Sequence, residues 1–312
     1  MKNNPFPYSI DNKRYHTLHY SNMQRFGRKI FKAVLDCGFS CPNIDGTKGR
    51  GGCIFCDGGS GYFTVHGLSV TKQLETEHKR IASKYGNDAP IIAYFQANTN
   101  TYASVDTLRN LYMEALSFPY TVGISIGTRA DCLSDEVLDL LSEINGMTEL
   151  TVELGMQTMH ESTISHINRC CTHHEFVNGC FALKERGIRL CLHLINGLPG
   201  ETSEMMVESA LEAARLHTDG IKLQMLHVIR GTQLARMYGE NSFDLLTREQ
   251  YIDIIVRQLE VLPSGIVVER ITGDGDKSKL IAPMWAADKI SVLGGIDKRM
   301  SELDTWQGRF SE

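Results

Sequence analysis

The segment Cys41-Pro-Asn-Ile-Asp-Gly-Thr-Lys-Gly-Arg-Gly-Gly-Cys53-Ile-Phe-Cys56 decides how the rest of the chain is read. The two-residue gap between Cys53 and Cys56 lets both thiolates face one metal, and the intervening loop, rich in Gly, Asn and Asp, lets Cys41 fold back onto them. Thiolates are soft ligands that suit zinc or iron–sulfur clusters. Three protein ligands on a four-iron cluster leave one iron open for chemistry. Adding Cys37 gives a four-thiolate set instead, and a structural zinc there would make the chain a binding module.

Outward from this loop, apolar runs alternate with helical patterns. A strand at 29–36 leads into the cysteines. Further strands are expected at 90–96, 121–126, 149–154, 188–195 and 220–226, separated by helices near 69–85, 104–117, 134–144, 174–186 and 202–217. Each strand is a near-continuous apolar run, the signature of parallel strands covered by crossover helices. Polar, motif-like residues follow nearly every strand at its C-terminal end. That distribution favours a barrel rim over the single crevice of an open sheet. The expectation is therefore an α/β chain with a basic N-terminal arm (1–28), a partial (β/α)6 TIM-type barrel (29–245) and a helical C-terminal extension packed on it (246–312). Within that extension, 246–262 reads as helix and 266–270 as a further strand.

The chain has 312 residues, nine cysteines and a net charge of −5. No apolar run approaches a membrane span and no apolar leader stands at the N-terminus, so reduced thiols in the cytoplasm are expected. Charge is unevenly placed. Residues 1–50 carry nine Lys or Arg against three Asp, or +6, which leaves −11 for the remainder. Lys13, Arg14, Arg25 and Arg28 are interleaved with Phe6, Tyr8, Tyr15, Tyr20 and Phe26. Bases and aromatics beside a reactive centre suit a flipped or single-stranded nucleotide; the plainer reading is a solvated arm packed on the barrel. Cys132, Cys180 and Cys191 fall in helical or strand patterns as buried thiols. Vicinal Cys170 and Cys171, beside His173 and His174, chelate poorly, and Asp274 and Asp276 begin a calcium-like loop without its distant Glu.

The cysteine loop, the loop at 96–99, Gly197-Leu-Pro-Gly-Glu201, Arg270-Ile-Thr-Gly-Asp274 and Trp306-Gln-Gly308 together resemble the radical S-adenosylmethionine (SAM) enzymes over nearly the whole chain. The chain is most similar to bacterial proteins related to the Elongator catalytic subunit and the tRNA methylthiotransferases. The superfamily's usual Cys-x3-Cys-x2-Cys spacing is stretched here between Cys41 and Cys53, as in that subgroup, while Phe55 keeps the aromatic before the last cysteine. Starting the motif at Cys37 would need a cysteine where Ile44 stands. The resemblance therefore implies a [4Fe–4S] cluster on Cys41, Cys53 and Cys56.

Following the anaerobic coproporphyrinogen-oxidising branch, it also implies SAM contacts. Gln96, Asn98 and Thr99 stand in place of a glycine-rich segment, Ser125 and His193 stand in two acidic positions, and Gln157 and Arg169 match a Gln and an Arg. Leu226 matches a small residue beside the adenine. Arg169 would grip the SAM carboxylate with its planar fork. Arg270 and Asp274 are expected to meet substrate. The implied reductant is a flavodoxin- or ferredoxin-type protein. The implied substrate is tRNA, whose wobble-uridine 5-carboxymethylaminomethyl group becomes 5-aminomethyl. A small metabolite or a protein side chain is the alternative substrate.

Overall fold

A computed structural model describes residues 6, 8, 10, 12–58, 67–96, 98–273 and 275–311. The six expected runs form strands β1 (Phe31–Leu35), β2 (Ile91–Phe95), β3 (Thr121–Thr128), β4 (Glu149–Gln157), β5 (Arg189–Asn196) and β6 (Gly220–Met225). A short β7 (Val228–Ile229) follows, then β8 (Val267–Arg270) and β9 (Leu280–Ala282). Seven of these make one parallel sheet in the order β1-β2-β3-β4-β5-β6-β8, curled into a half-barrel. The sheet thus has one strand more than the six assigned to the barrel, because β8, from the segment read as extension, pairs with β6. β7 and β9 form a separate antiparallel ribbon. Among the described residues, no helix is long and apolar enough to cross a membrane.

Parallel neighbours need crossovers, and the sequence supplies a start signal for each. Helices Val70–Tyr85, Val105–Leu116, Asp135–Met147, His173–Glu185, Ser203–Arg215 and Arg248–Val261 begin after Ser69, Ser104, Ser134, Thr172, Thr202 and Thr247. Each of these caps accepts a backbone N–H from the first helical turn. Thr172 with Glu175, and Thr247 with Gln250, complete reciprocal capping boxes. Gly123 is required where β3 meets β4, since a Cβ there would lie 2.7 Å from the Glu149 carbonyl oxygen.

The strands alternate strictly. Ala33 and Leu35, Ala93 and Phe95, Ile124 and Ile126, Val152 and Leu154, Leu192 and Leu194, and Ile221 and Leu223 all join the main apolar core. The intervening positions Lys32, Tyr94, Ser125, Glu153, His193 and Lys222 instead converge on one another. Glu153, with its side chain wholly buried, is their hub. Its Oε1 accepts from Lys32 Nζ at 2.7 Å and Ser125 Oγ at 2.6 Å. Its Oε2 accepts from Tyr94 Oη at 2.7 Å, His193 Nε2 at 2.8 Å and Lys222 Nζ. Six consecutive strands each contribute one member. Lys32 also reaches Glu269 of β8 at 3.0 Å, so the two edge strands of the half-barrel meet across its interior.

Burial alone would raise the Glu153 pKa, but the Lys222 and Lys32 ammoniums and the His193 hydrogen bond hold it well below the usual carboxylate range. A depressed carboxyl stabilises the fold above its unfolded pKa, and that stabilisation is lost as pH falls through the folded value. Replacing Glu153 by Gln strands two ammoniums in the interior. The expected loss is about 3–5 kcal/mol in urea unfolding near neutral pH, with a shallower loss of stability on acidification than in the parent protein.

Candidate active site

A cavity of ≈ 920 Å³ opens at the C-terminal ends of the strands, and Glu153, Lys32, Tyr94, His193 and Lys222 form its floor. Cys41, Cys53 and Cys56 line the same cavity. All three are free thiols. Their loop is held by backbone bonds from Ile54 N to Ile167 O (3.1 Å) and from Leu234 N to Ile54 O (2.8 Å). Asn168 Nδ2 donates to Gly52 O at 2.8 Å, and Asn43 Nδ2 donates to Cys53 Sγ at 3.6 Å.

Burial, reinforced by neighbouring Cys56 and Cys41, pushes the Cys53 thiol up to about 12, against an opposing pull from Arg129. A thiol so placed stays protonated until a metal displaces the proton. Free cysteines close enough to perturb one another, with an amide donor on one sulfur and a guanidinium nearby, fit a thiolate-held cluster. Cys37 does not join them. It packs against the core, where burial, with Asp36 and Glu114, pushes its thiol to about 12. Among the described residues, no three His, Cys, Asp or Glu are grouped to hold one ion, the three loop cysteines included; a four-iron cluster takes each thiolate on a different iron.

The other expected residues separate into groups. Gln96, Asn98, Thr99, Gln157, Arg169, His193, Leu226, Arg270 and Asp276 all line the cavity. Asn98 takes a left-handed backbone (φ 60) and donates Nδ2 to Phe39 O at 2.8 Å, while Thr99 N donates to Ser40 O at 3.2 Å. The second loop is thereby fixed to the run entering the cysteines. Ser125 does not line the cavity; it is buried, donating to Glu153. His193 is lowered first by burial and then by Lys222, so the neutral ring donates Nε2–H to the carboxylate. Ser125 and His193, in positions where an acid was expected, therefore both serve an acid on the strand between them.

Arg169 lines the cavity with its fork turned to backbone carbonyls. Its Nε and Nη2 donate to Cys171 O at 3.0 and 2.8 Å, Nη2 also reaches Thr172 O at 3.2 Å, and Nη1 donates to Met156 O and Thr158 O. The fork binds backbone carbonyls and braces the loop after β4 against the turn at 171–172. Arg129 and Asp131 were missed in the sequence. Arg129 donates to Arg169 O (3.0 Å), Cys170 O (3.2 Å) and Asp131, which also pairs with Lys48 at 2.8 Å.

The basic arm lies elsewhere. Arg25 pairs with Glu149, the first residue of β4, and Arg28 with Asp88, just before β2, at 2.9 Å. Lys13 pairs with Asp297 and Arg14 with Asp304. None of the four lines the cavity. Arg25 and Arg28 sit at the N-terminal ends of the strands, opposite the cysteines, so the expectation of a basic arm beside the reactive centre is corrected. Asp274 lies outside the described residues.

A curled parallel sheet with a cysteine-lined cavity at its C-terminal rim defines the class, and the comparisons agree. The chain matches the radical SAM superfamily over residues 44–213 and the radical SAM C-terminal domain over 218–302. It belongs to the radical SAM superfamily, whose enzymes use a [4Fe–4S] cluster and SAM. It is 45% identical to the uncharacterized protein YtqA of Bacillus subtilis (strain 168), over 99% of this chain and 97% of that one. It is 29% identical to a tRNA uridine(34) acetyltransferase of Methanocaldococcus jannaschii, over 49% of this chain and 28% of that protein. Among solved structures, the archaeal Methanocaldococcus infernus Elp3 superposes with a TM-score of 0.68 at 16% identity, covering 89% of this chain and 64% of that one.

The Arg169 geometry has a direct consequence. Lysine cannot reproduce the fork, so Arg169→Lys is expected to lower stability by about 2–4 kcal/mol in thermal or urea unfolding before any cofactor is added. A variant that melts like the parent and loses only SAM affinity would restore the clamp role.

Proposed function

We propose that this radical SAM enzyme acts on tRNA, converting the 5-carboxymethylaminomethyl side chain of wobble uridine to 5-aminomethyl. The carboxymethyl unit leaves as a two-carbon oxo acid whose new oxygen comes from water and whose two electrons are taken up in the cleavage of SAM. The observation that carries the reading is one cavity joining three free thiols at its rim to a cationic floor. Lys32, Lys222 and Arg270 line that floor, against Glu153 and, beneath it, Glu269. Cations held at that depth suit a substrate that brings its own carboxylate into a site of low dielectric. The naming of uridine 34 in the acetyltransferase relative supports the choice of nucleoside.

In this reading Cys41, Cys53 and Cys56 hold the cluster. When bound, the cluster and SAM would supply the chemistry of hydrogen-atom abstraction from substrate. The chain does the positioning. Asn43 and Arg129 temper the negative charge of the thiolates. Gln96, Asn98, Thr99 and Gln157 meet SAM from the loops after β2 and β4, and Leu226 lies against the adenine. Arg169 acts at one remove, by setting the backbone on which Gln157 stands. Glu153 keeps Lys32 and Lys222 in place, and His193 presents a neutral ring to the bound molecule. A flavodoxin- or ferredoxin-type protein serves as electron donor.

Anaerobic reconstitution should give a brown protein with iron and sulfide, retained in Cys37→Ala and lost in Cys41→Ala, Cys53→Ala and Cys56→Ala. With SAM and dithionite it should convert tRNA from a deletion strain, read by nucleoside mass spectrometry. Arg270→Gln should lower kcat/KM on the order of tenfold to a hundredfold while leaving cluster content unchanged, as expected for one charged contact to substrate. An unaltered nucleoside profile in the deletion strain would remove tRNA as the substrate.

A further inference from the structure

If the substrate is a polyanion, the arm cations Lys13, Arg14, Arg25 and Arg28 are poorly placed to hold it, since none of them lines the cavity. The opposite rim offers a different surface. The β7–β9 ribbon stands outside the main sheet, and Ile229 of β7 and Asp276, ahead of β9, line the cavity. Arg230 N donates to Lys279 O at 2.8 Å, which puts these two residues side by side. Together they line a second groove of ≈ 320 Å³ that shares Cys56 and Asp57 with the main cavity. A molecule lying on the ribbon is therefore beside the cysteine loop.

Segments 227–231 and 270–290 carry five bases, Arg230, Arg270, Lys277, Lys279 and Lys289, against three acids. Two of those acids cap local turns at the surface: Asp276 accepts from Ser278 N at 2.9 Å, and Asp288 from Ser291 N at 3.1 Å. Arg230, Lys277 and Lys279 are exposed, Lys279 reaching Asp57 at the cavity rim at 3.2 Å, and so are the apolar Ile281, Met284 and Ile290, the last two at 69% and 86%. Phosphates take the cations, and bases or riboses take apolar side chains set among them.

The platform is also built rather than loose. Gly273 and Gly275 pack against the His227 imidazole, where a Cβ on either would come within 2.5 or 2.7 Å of the ring. Burial, then Lys289, lowers that imidazole to about 4, so it adds no charge of its own.

We propose that this lip, and not the N-terminal arm, is the RNA-binding surface, with Arg230, Lys277 and Lys279 on phosphates and Met284 on a base or ribose; the proposal rests on the tRNA reading above. Its test is equilibrium binding of unfractionated tRNA from a deletion strain across a salt series, using purified full-length protein. The variant Arg230→Glu/Lys277→Glu/Lys279→Glu changes only exposed side chains, and a thermal melt checks that it stays folded. Its affinity should fall on the order of tenfold or more at low salt, and its slope of log Kd against log salt should shrink by about 2. Met284→Ser should weaken binding with an unchanged slope. Arg25→Gln/Arg28→Gln should bind as the parent does.

Parent-like binding by the lip variant, or a loss confined to the arm variant, overturns the lip assignment while leaving tRNA as substrate. Failure of the parent protein to bind tRNA at low salt overturns the tRNA reading itself, and the lip assignment with it.

Discussion

A single buried carboxylate organises this half-barrel. Glu153 collects donors from Lys32, Tyr94, Ser125, His193 and Lys222, each on a different strand. Taking those charges out of water is unfavourable by several kcal/mol per ion, and their mutual attraction offsets this only when every lone pair and proton is used. The arrangement satisfies that condition closely. Both carboxylate oxygens are shared among cations and neutral donors, and the Tyr94 ring lies 4.8 Å from the Lys32 and Lys222 ammoniums. A register slip of one residue on any strand would turn its polar member toward the helices and an apolar one into the network. The network therefore specifies curvature and register as well as charge, and apolar packing on the outer face could not do so alone.

The same network separates the two ends of the molecule. Beyond Glu153, toward the C-terminal ends, the interior is left open as the cavity. Toward the N-terminal ends it is closed by the arm and the C-terminal segment. Val268 N donates to His16 O at 2.8 Å, and Thr17 bridges to Val268, so the arm covers the free edge of β8. Gln307 ties the assembly together: its N–H donates to Arg14 O, its Oε1 accepts from His16 N, and its Nε2 donates to Pro263 O and Ile266 O. The Trp306-Gln-Gly308 motif and the aromatic, basic arm thus belong to one structural seam. Arm cations that looked available for a nucleic acid instead pair with Glu149, Asp88, Asp297 and Asp304.

Legibility in the sequence followed distance along the chain. The cysteine loop was readable because its ligands are close in sequence, and the six strands because each is a local apolar run. Reading those runs as continuously apolar concealed their alternation, and with it Lys32, Tyr94, Glu153 and Lys222. Period-two polarity at the same height on successive strands was the available signal. The expected acid was sought at Ser125 and His193, whereas the structure puts it on β4 between them. Arg169 was recognisable as a residue with a task, but that task depends on which carbonyls the folded loop turns toward it. Ion pairs of the arm span up to 290 residues, and no local pattern announces them. The seventh strand was visible as a short run, yet its place beside β6 is a tertiary fact.

A polar interior is a poor way to maximise stability. Replacing a buried ion network by well-packed apolar side chains of similar volume is often neutral or stabilising, and a closed barrel would fill its centre in that manner. Here the centre holds two lysines, a tyrosine, a histidine and a glutamate beneath a large cavity, so the chain forgoes core packing where a bound molecule must enter. The cations are already fixed before anything binds, which removes the reorganisation that a flexible lysine would otherwise undergo in gripping an anion. Pre-orientation of this kind has value only if the group to be held is itself polar and reaches the depth of the strands. A site for an extended apolar ligand would have no use for it. The floor thus suits a small charged group carried to the depth of the strands, as the proposed substrate would carry one.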